Sequence, residues 1–378
     1  MTLPLEGLFV LDFSQYLAGP SAALRLADLG ARVLKIERPG TGEPTRALSL
    51  AGLELDGDSL LFHTINRNKE SLAVDLRDPE ELERVKRLVE RADVLIQSFR
   101  PGVMERYGLD YDSVSKLNER IVYGSTSGYG ESGPWRDRPG QDLLVQALSG
   151  LTWLNGNRDD PPVAFGLSIV DTLAGAHLCQ GILACLVRRG VTGRGGFVEV
   201  SLLESALDLQ FEVLTCHLND GNRLPVRSEI GSAHPYVGAP YGIYETTDGF
   251  VALAMGSVPL LGQLLGLPDV EAIDDPKDWY ERRDEIKARI AGALKTRPVA
   301  EWVEKLGGAG LWVAEVMRWP ELLAHDAVKE LEMVVEAGDG ARRFRTVRAP
   351  FRIDGAIPPS SAASPRLDEH DTLPGEAA

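Results

Sequence analysis

The sequence predicts an α/β protein in which a parallel sheet is covered by helices, followed by a smaller α+β domain. Three observations carry this. Short β-rich runs alternate with helical segments from residue 7 to about residue 210, and a polar stretch bearing Pro and Gly, "NDGNRLPVRSEIGSAHP" (219–235), interrupts them. The chain beyond it opens on a hairpin signal instead of another strand and helix.

In chain order, "GLFVLDF" (7–13) is a short β-rich run and "PSAALRLADLG" (20–30) a helix that opens with Pro and closes with Gly. "ARVLKIE" (31–37) is a second strand, which completes one βαβ unit. The pattern repeats in "SLAVDL" (71–76), the charged amphipathic helix "DPEELERVKRLVERA" (78–92), "DVLIQSF" (93–99) and "RIVYGSTS" (120–127). "GQDLLVQALSG" (140–150) has helical spacing, and residues 171–189 form a helix rich in Ala, Gly and Leu, whose small residues predict close helix packing. "VTGRGGFVEVSLLESALDLQ" (191–210) reads as a Gly turn, a strand and a helix. After the linker, "YGIYETTDGFVALAM" (241–255) gives two alternating runs joined by Asp-Gly, followed by helices around 276–295 and 298–306. "RRFRTVRAPFRI" (342–353) is strand-like, and "PPSSAASPRLDEHDTLPG" (358–375) is an extended, proline-rich tail expected on a surface.

Composition narrows the partners. With 378 residues and 44% hydrophobic content the chain can bury a large core. Lys+Arg 40 against Asp+Glu 56 leaves a formal charge of −16 with no basic tract, which argues against nucleic acid or an anionic membrane as partner. The start "MTLPLEGLFVLDFSQ" lacks the basic and long apolar regions of a signal peptide, and no apolar run is read as approaching the length of a membrane span, so a cytoplasmic location is expected. Cys179, Cys185 and Cys216 are too few for a disulfide framework and have no CxxC spacing.

Several familiar chemistries are missing. The turn after the first strand, "SQYLAGP" (14–20), carries no GxGxxG, which speaks against NAD or FAD despite Glu37 at the end of the second strand. There is no P-loop, HExxH or GxSxG, and the six histidines show no metal-ligand spacing, so no metal is expected. What remains is a carboxylate in "GLSIVDTLAGAH" (166–177). Buried without partners, an ionised Asp171 costs several kcal/mol. It is either the N-cap of the helix that follows or a working group.

The segments "VLDFSQYLAGP", "ADLGARVLKIERPGTGEPTR", "NRNKESLAVDL", "GQDLLVQALSG", "VDTLAGAHLCQGILACL", "TGRGGFVEVSLLES", "DGFVALA" and "SPRLDEH" together resemble the class III coenzyme A transferases of the CaiB/BaiF type, a group that includes formyl-CoA transferase. They stand in the family's order and span nearly the whole chain. The resemblance implies a Rossmann-like large domain without the dinucleotide glycines, a smaller α+β domain and an interlocked homodimer. The expected organisation is 1–220 for the N-terminal part of the large domain, 221–330 for the small domain with its linkers, and 331–378 for a segment returning to the large domain.

The same resemblance implies that Asp171 is a nucleophile, acylated by an acyl-CoA and discharged to a carboxylic acid acceptor, with no tightly bound cofactor. A carboxylate with an ordinary pKa of about 3.9 is ionised at neutral pH and needs no partner base. Small residues in "DTLAGA" are expected to offer N–H groups at a helix start, where the dipole favours anions. The family match places Arg38 on the CoA adenine and phosphates, Val74 and Arg77 beside the adenine, Ser98 and Phe99 along the pantetheine, and Arg106 at the diphosphate. For the arginines, the alternative is a surface salt bridge worth little. Leu17 and Ala18 line the thioester loop with Gln15 nearby; formyl-CoA transferase has Gln where this chain has Leu17, and Asn where it has Ser98.

Three functions stay in view: CoA transfer, 2-methylacyl-CoA racemisation, and non-catalytic acyl-CoA binding. The racemase branch resembles this chain but carries a His thirty positions before the aspartate, where this chain has Gln141, a side chain that cannot exchange a proton. Asp142 is either a contact to the acceptor acid or a solvated helix-start carboxylate. His234, in "GSAHP" (231–235), is either an active-site wall or a structural histidine before proline.

Overall fold

The computed structural model describes residues 2–359 and 361–370. The chain divides into two compact units, the first comprising Met1–Val145, Ser168–Ala206 and Asp326–Ala378, the second Gln146–Leu167 and Leu207–His325. These limits differ from the expected 220 and 330, and residues 146–167 group with the second unit. The reason is visible in Arg227, a buried side chain that donates to the backbone carbonyls of Asn155, Arg158 and Asp160. Gln210 adds a hydrogen bond to the carbonyl of Ser149.

The first unit holds a six-stranded sheet of β1 (Phe9–Asp12), β2 (Arg32–Glu37), β3 (Glu70–Ala73), β4 (Val94–Gln97), β5 (Val122–Ser127) and β6 (Gly196–Ser201). Its order is β3-β2-β1-β4-β5-β6 and every pairing is parallel, as the alternating pattern predicts. Alternate strand residues feed two cores. On one face Leu11, Leu34, Leu72 and Leu95 pack with Val85 and Leu88 of α2 (Pro79–Arg91); on the other, Val10, Val33, Ile96 and Val122 pack with Ala22, Ala23 and Leu26 of α1 (Ala18–Asp28). Asp78 caps α2 by accepting from the N–H groups of Glu80 and Glu81, with Pro79 in the first turn.

Two helices frame the later argument. The first is α3 (Asp142–Leu148). The second, α4 (Ile169–Thr192), contributes Leu178, Cys179 and Ile182 to the second core and ends at Gly193 in the left-handed region. By length and composition alone α4 is long and apolar enough to cross a membrane, which corrects the reading that no run approaches that length. Its small residues seat it closely: a Cβ at Gly181 would lie 2.5 Å from Val198 of β6. The expected start at Asp171 is also corrected, because the helix begins at Ile169 with Ser168 as N-cap.

The C-terminal segment is not wholly a surface tail. Ser364 is fully buried, and residues 368–370 run along β3, the edge strand, where the His370 N–H reaches the Ser71 carbonyl (3.0 Å) and Asp368 accepts from the Ala73 N–H (2.8 Å). An edge covered in this way offers no free ladder. Residues 371–375 of the tail lie outside the described residues. The strand expected at 342–353 is confined to Phe344–Val347, paired antiparallel with Val334–Ala337.

The second unit carries an antiparallel sheet of β7 (Gly242–Glu245), β8 (Phe250–Leu253) and β9 (Val313–Glu315). The Asp-Gly hairpin is formed, closed by the Thr246 N–H to the Gly249 carbonyl. Tyr244, Val251 and Leu253 pack on Leu261, Ile286, Ile290, Trp302 and Leu306 from the surrounding helices.

Candidate active site

The sheet order reverses between β1 and β4, and the carboxyl ends of the strands at such a switch point are where open α/β sheets receive ligands. The loop after β1, residues 13–17, is held atom by atom. Ser98 accepts from the Gln15 N–H (2.8 Å), Glu43 from the Tyr16 N–H (3.3 Å) and Asp12 from the Ser14 N–H (2.9 Å), while Lys35 Nζ donates to the Ser14 carbonyl (2.8 Å). Tyr16 sits in the left-handed region at φ 64°, a conformation that costs a non-glycine residue about 1–3 kcal/mol and persists only where surroundings impose it.

Those surroundings are charged and dry. Asp12, Lys35, Lys69 and Glu43 are all buried; Lys69 Nζ lies 2.8 Å from Asp12, and Lys35 Nζ lies 3.7 Å from Asp12 and 3.9 Å from Glu43. Burial alone would raise the Asp12 pKa, but the two ammonium groups outweigh it and hold the carboxyl at about 2. Burial likewise brings Lys69 down to about 8. Sequence reasoning did not pick out these four. The available signal was Lys35, a charge in the middle of an otherwise apolar strand that a parallel sheet buries on both faces.

Leu17 and Ala18 open α1, which starts without a capping side chain, two residues before the expected Pro20. There α1 meets α4 at Gly175, one helical turn beyond Asp171. Asp171 itself is the third residue of α4 and is not its N-cap. The cap comes from Asp142, whose Oδ2 accepts from the N–H groups of Val170 (2.8 Å) and Asp171 (3.0 Å). Asp142 is 3% exposed, which rules out the solvated carboxylate. The Thr172 N–H returns to the Ser168 carbonyl, so the start of "DTLAGA" does not present the open donors expected of it.

Burial, and then the negative charge of Asp142, pushes the Asp171 carboxyl up to about 7. The nucleophile candidate is therefore about half protonated at neutral pH, instead of fully ionised as an ordinary aspartate would be. Gln141 is exposed and its side chain accepts from the Leu143 N–H, capping α3.

The remaining predicted residues lie along the strand ends. Arg38, just past β2, and Arg106 are exposed, Val74 is buried, and Phe99 is half-buried against the first core. Arg77 is exposed, and Asp75 holds its guanidinium with both carboxylate oxygens (2.9 and 2.8 Å). In the second unit, His234 Nδ1 accepts from the Tyr236 N–H (3.1 Å), and its Nε2 stands 4.0 Å from Glu212. A separate cavity of about 340 Å³ at the ends of β4 and β5, lined by Gln97, Ser125, Glu131 and Phe197, contains none of the predicted residues. Among the described residues no cluster of three or more His, Cys, Asp or Glu is placed to hold a metal.

Comparison with known proteins extends this over the whole chain. The profile of CoA-transferase family III matches residues 5–371. The acetyl-CoA:oxalate CoA-transferase of Acetobacter aceti is 34% identical across 97% of this chain and 93% of its own, and the succinyl-CoA:glutarate CoA-transferase of Mus musculus is 32% identical across 97% and 84%. Among solved structures, a CaiB/BaiF family protein from Brucella suis superposes with a TM-score of 0.84 at 29% identity, and Rv3272 from Mycobacterium tuberculosis with 0.83 at 31%. The former alignment covers 98% of both chains, the latter 97% of this chain and 98% of the other. With the sheet topology and the full-length match in agreement, the chain belongs to CoA-transferase family III and is an enzyme that acts on CoA thioesters.

Proposed function

We propose that this enzyme moves CoA from an acyl-CoA donor to a free carboxylic acid through a covalent intermediate on Asp171. The observation that carries the reading is the carboxylate of Asp171, raised to about 7 by burial beside the helix start that the 13–17 loop leads into. Desolvation destabilises the free carboxylate relative to a neutral acyl derivative, so acylation relieves the cost of its burial.

The steps balance without a proton shuttle. Asp171 attacks the thioester carbonyl, forming a mixed anhydride and expelling CoA thiolate. The thiolate attacks the aspartyl carbonyl, which releases the donor's acid and leaves an aspartyl-CoA thioester. The acceptor carboxylate displaces the thiolate to give a second mixed anhydride, and the thiolate then takes the acceptor's acyl carbon, regenerating Asp171. This accounts for a site built without a catalytic histidine. Oxyanion stabilisation falls to the start of α1, since α4 has committed its first N–H groups.

In this reading Arg38 and Arg106 hold the CoA phosphates, Val74 and Phe99 border the nucleotide and pantetheine, and Gln15, Leu17, Ala18 and Ser98 form the thioester loop. Gln141 offers no titrating partner for racemisation. The enzyme works as an interlocked homodimer in the cytoplasm. The test is to incubate it with succinyl-CoA, quench in hydroxylamine and map the peptides by mass. An aspartyl hydroxamate at Asp171 is expected; turnover with no label there, or an active Asp171→Ala variant, overturns the proposal.

A further inference from the structure

The first turn of a helix leaves its N–H groups without intrahelical partners, and a side-chain acceptor at the N-cap ordinarily takes one or two of them. In α4 the N-cap residue, Ser168, makes no such bond. The acceptor comes instead from another helix, as the buried Oδ2 of Asp142. A carboxylate with little water around it costs free energy unless hydrogen-bonded, and these two N–H groups each give it one bond.

The residue that most benefits is the one it touches. Asp171 stands at the third position of the helix, where its own carboxylate would otherwise be stabilised by the positive end of the dipole and by turning back toward the helix start. Asp142 occupies that place first. The elements packed against α4 carry Arg25 and Asp28 on α1, Tyr123 on β5 and Glu199 on β6, with His177 on α4 itself; after burial, the charge that raises the Asp171 carboxyl is that of Asp142.

We propose that Asp142 is a positioning residue of the transfer reaction: by capping α4 from α3, it fixes the backbone of Asp171 and denies the helix N-terminus to the nucleophile's own carboxylate, leaving that carboxylate for the thioester. This replaces the role of acceptor contact, and it rests on the reading of Asp171 as nucleophile. A carboxylate that had settled into the cap would be both more acidic and turned toward the helix end, and each effect slows attack.

The experiment compares wild type with Asp142→Asn and Asp142→Ala, reading kcat, both KM values, the pH dependence of kcat/KM and hydroxylamine trapping. Asn retains an oxygen for the two N–H groups and removes the charge, so the acidic limb of the profile moves down by about 0.5–1 pH unit with both KM values within about twofold. Ala removes the cap as well, and kcat falls about 10- to 100-fold with KM for the thioester little changed. An unmoved acidic limb in Asp142→Asn overturns the assignment, as does a tenfold rise in KM for the acceptor acid in either variant, which would make Asp142 a substrate contact. If Asp142→Ala fails to fold, the Asn profile decides. Failure of the underlying reading looks different: the wild-type enzyme then gives no hydroxamate at Asp171.

Discussion

Gly175 brings α4 so near to α1 that a Cβ added there would stand 2.6 Å from the carbonyl oxygen of Ala18 and would also collide with the Ser21 hydroxyl. Gly175 is one turn from Asp171, and Ala18 directly follows the 13–17 loop, so this contact sets the spacing between Asp171 and the loop. Substitution by Ala forces backbone apart, an overpacking that costs about 1–3 kcal/mol. Gly175→Ala should lower the melting temperature and reduce kcat. Gly190→Ala, in the same helix with open space around it, should be neutral or slightly stabilising, about 0.5–1 kcal/mol. Thermal melts and initial rates on the two variants check the contrast.

Asp171 makes the fold less stable at neutral pH than it would otherwise be. Its folded pKa of about 7 lies above the unfolded value of about 3.9, so the folded state binds the proton more tightly and stability falls as pH rises from about 4 to 7. Asp171→Asn removes this dependence. It should match wild type near pH 4 and exceed it above pH 7 by on the order of 3 kcal/mol. Denaturant unfolding of both proteins across that window measures the difference, and a gain that is flat with pH would contradict the assignment.

The rate should carry the same signature. On the proposed route Asp171 attacks as the carboxylate, so kcat/KM should climb through about pH 7 and level off above it, where an ordinary aspartate would have finished titrating near pH 4. A profile already flat from pH 5 upward would show that the nucleophile is an unperturbed acid.

Lys35 is surrounded by what it neutralises. Replacing it with Met leaves Asp12 and Glu43 buried with less compensation, a loss of about 3–5 kcal/mol, and frees the Ser14 carbonyl. Lys35→Met should therefore unfold at lower denaturant, and what stays folded should turn over slowly because the 13–17 loop has lost an anchor. Equilibrium unfolding together with kcat per folded molecule separates the two effects.

The arginines should divide. Asp75 already occupies the fork of Arg77, so Arg77→Ala should change KM for the thioester less than about twofold. Arg38→Ala and Arg106→Ala should each raise it about tenfold, the worth of a charge-assisted bond to phosphate. Steady-state titration with one acyl-CoA is sufficient.

How much of this was legible depends on where the determinants lie along the chain. The strands of the sheet announce themselves because parallel strands are buried on both faces, so "FVL" and "VLI" are continuous apolar runs, and the Asp-Gly hairpin and the Asp78-Pro79 cap are local chemistry. Asp171 was legible as a carboxylate in an apolar segment. Its environment was not: the cap from Asp142 spans 29 positions and exists only once α3 and α4 are placed. For the same reason the partners of Glu43 and Lys35, the Tyr16 N–H and the Ser14 carbonyl, appear only once the chain is folded. Three-residue β9 has too little pattern to read, and the partition of residues 146–167 rests on side chains such as Arg227, far away in sequence.

The covering of β3 by residues 368–370 carries a consequence for biosynthesis. The strand it shields precedes its cover by 295 positions, so β3 is made long before the segment that covers it. Until residues 368–370 are made, the nascent sheet therefore has an unpaired margin able to recruit a neighbouring chain, and that short segment acts as a late seal.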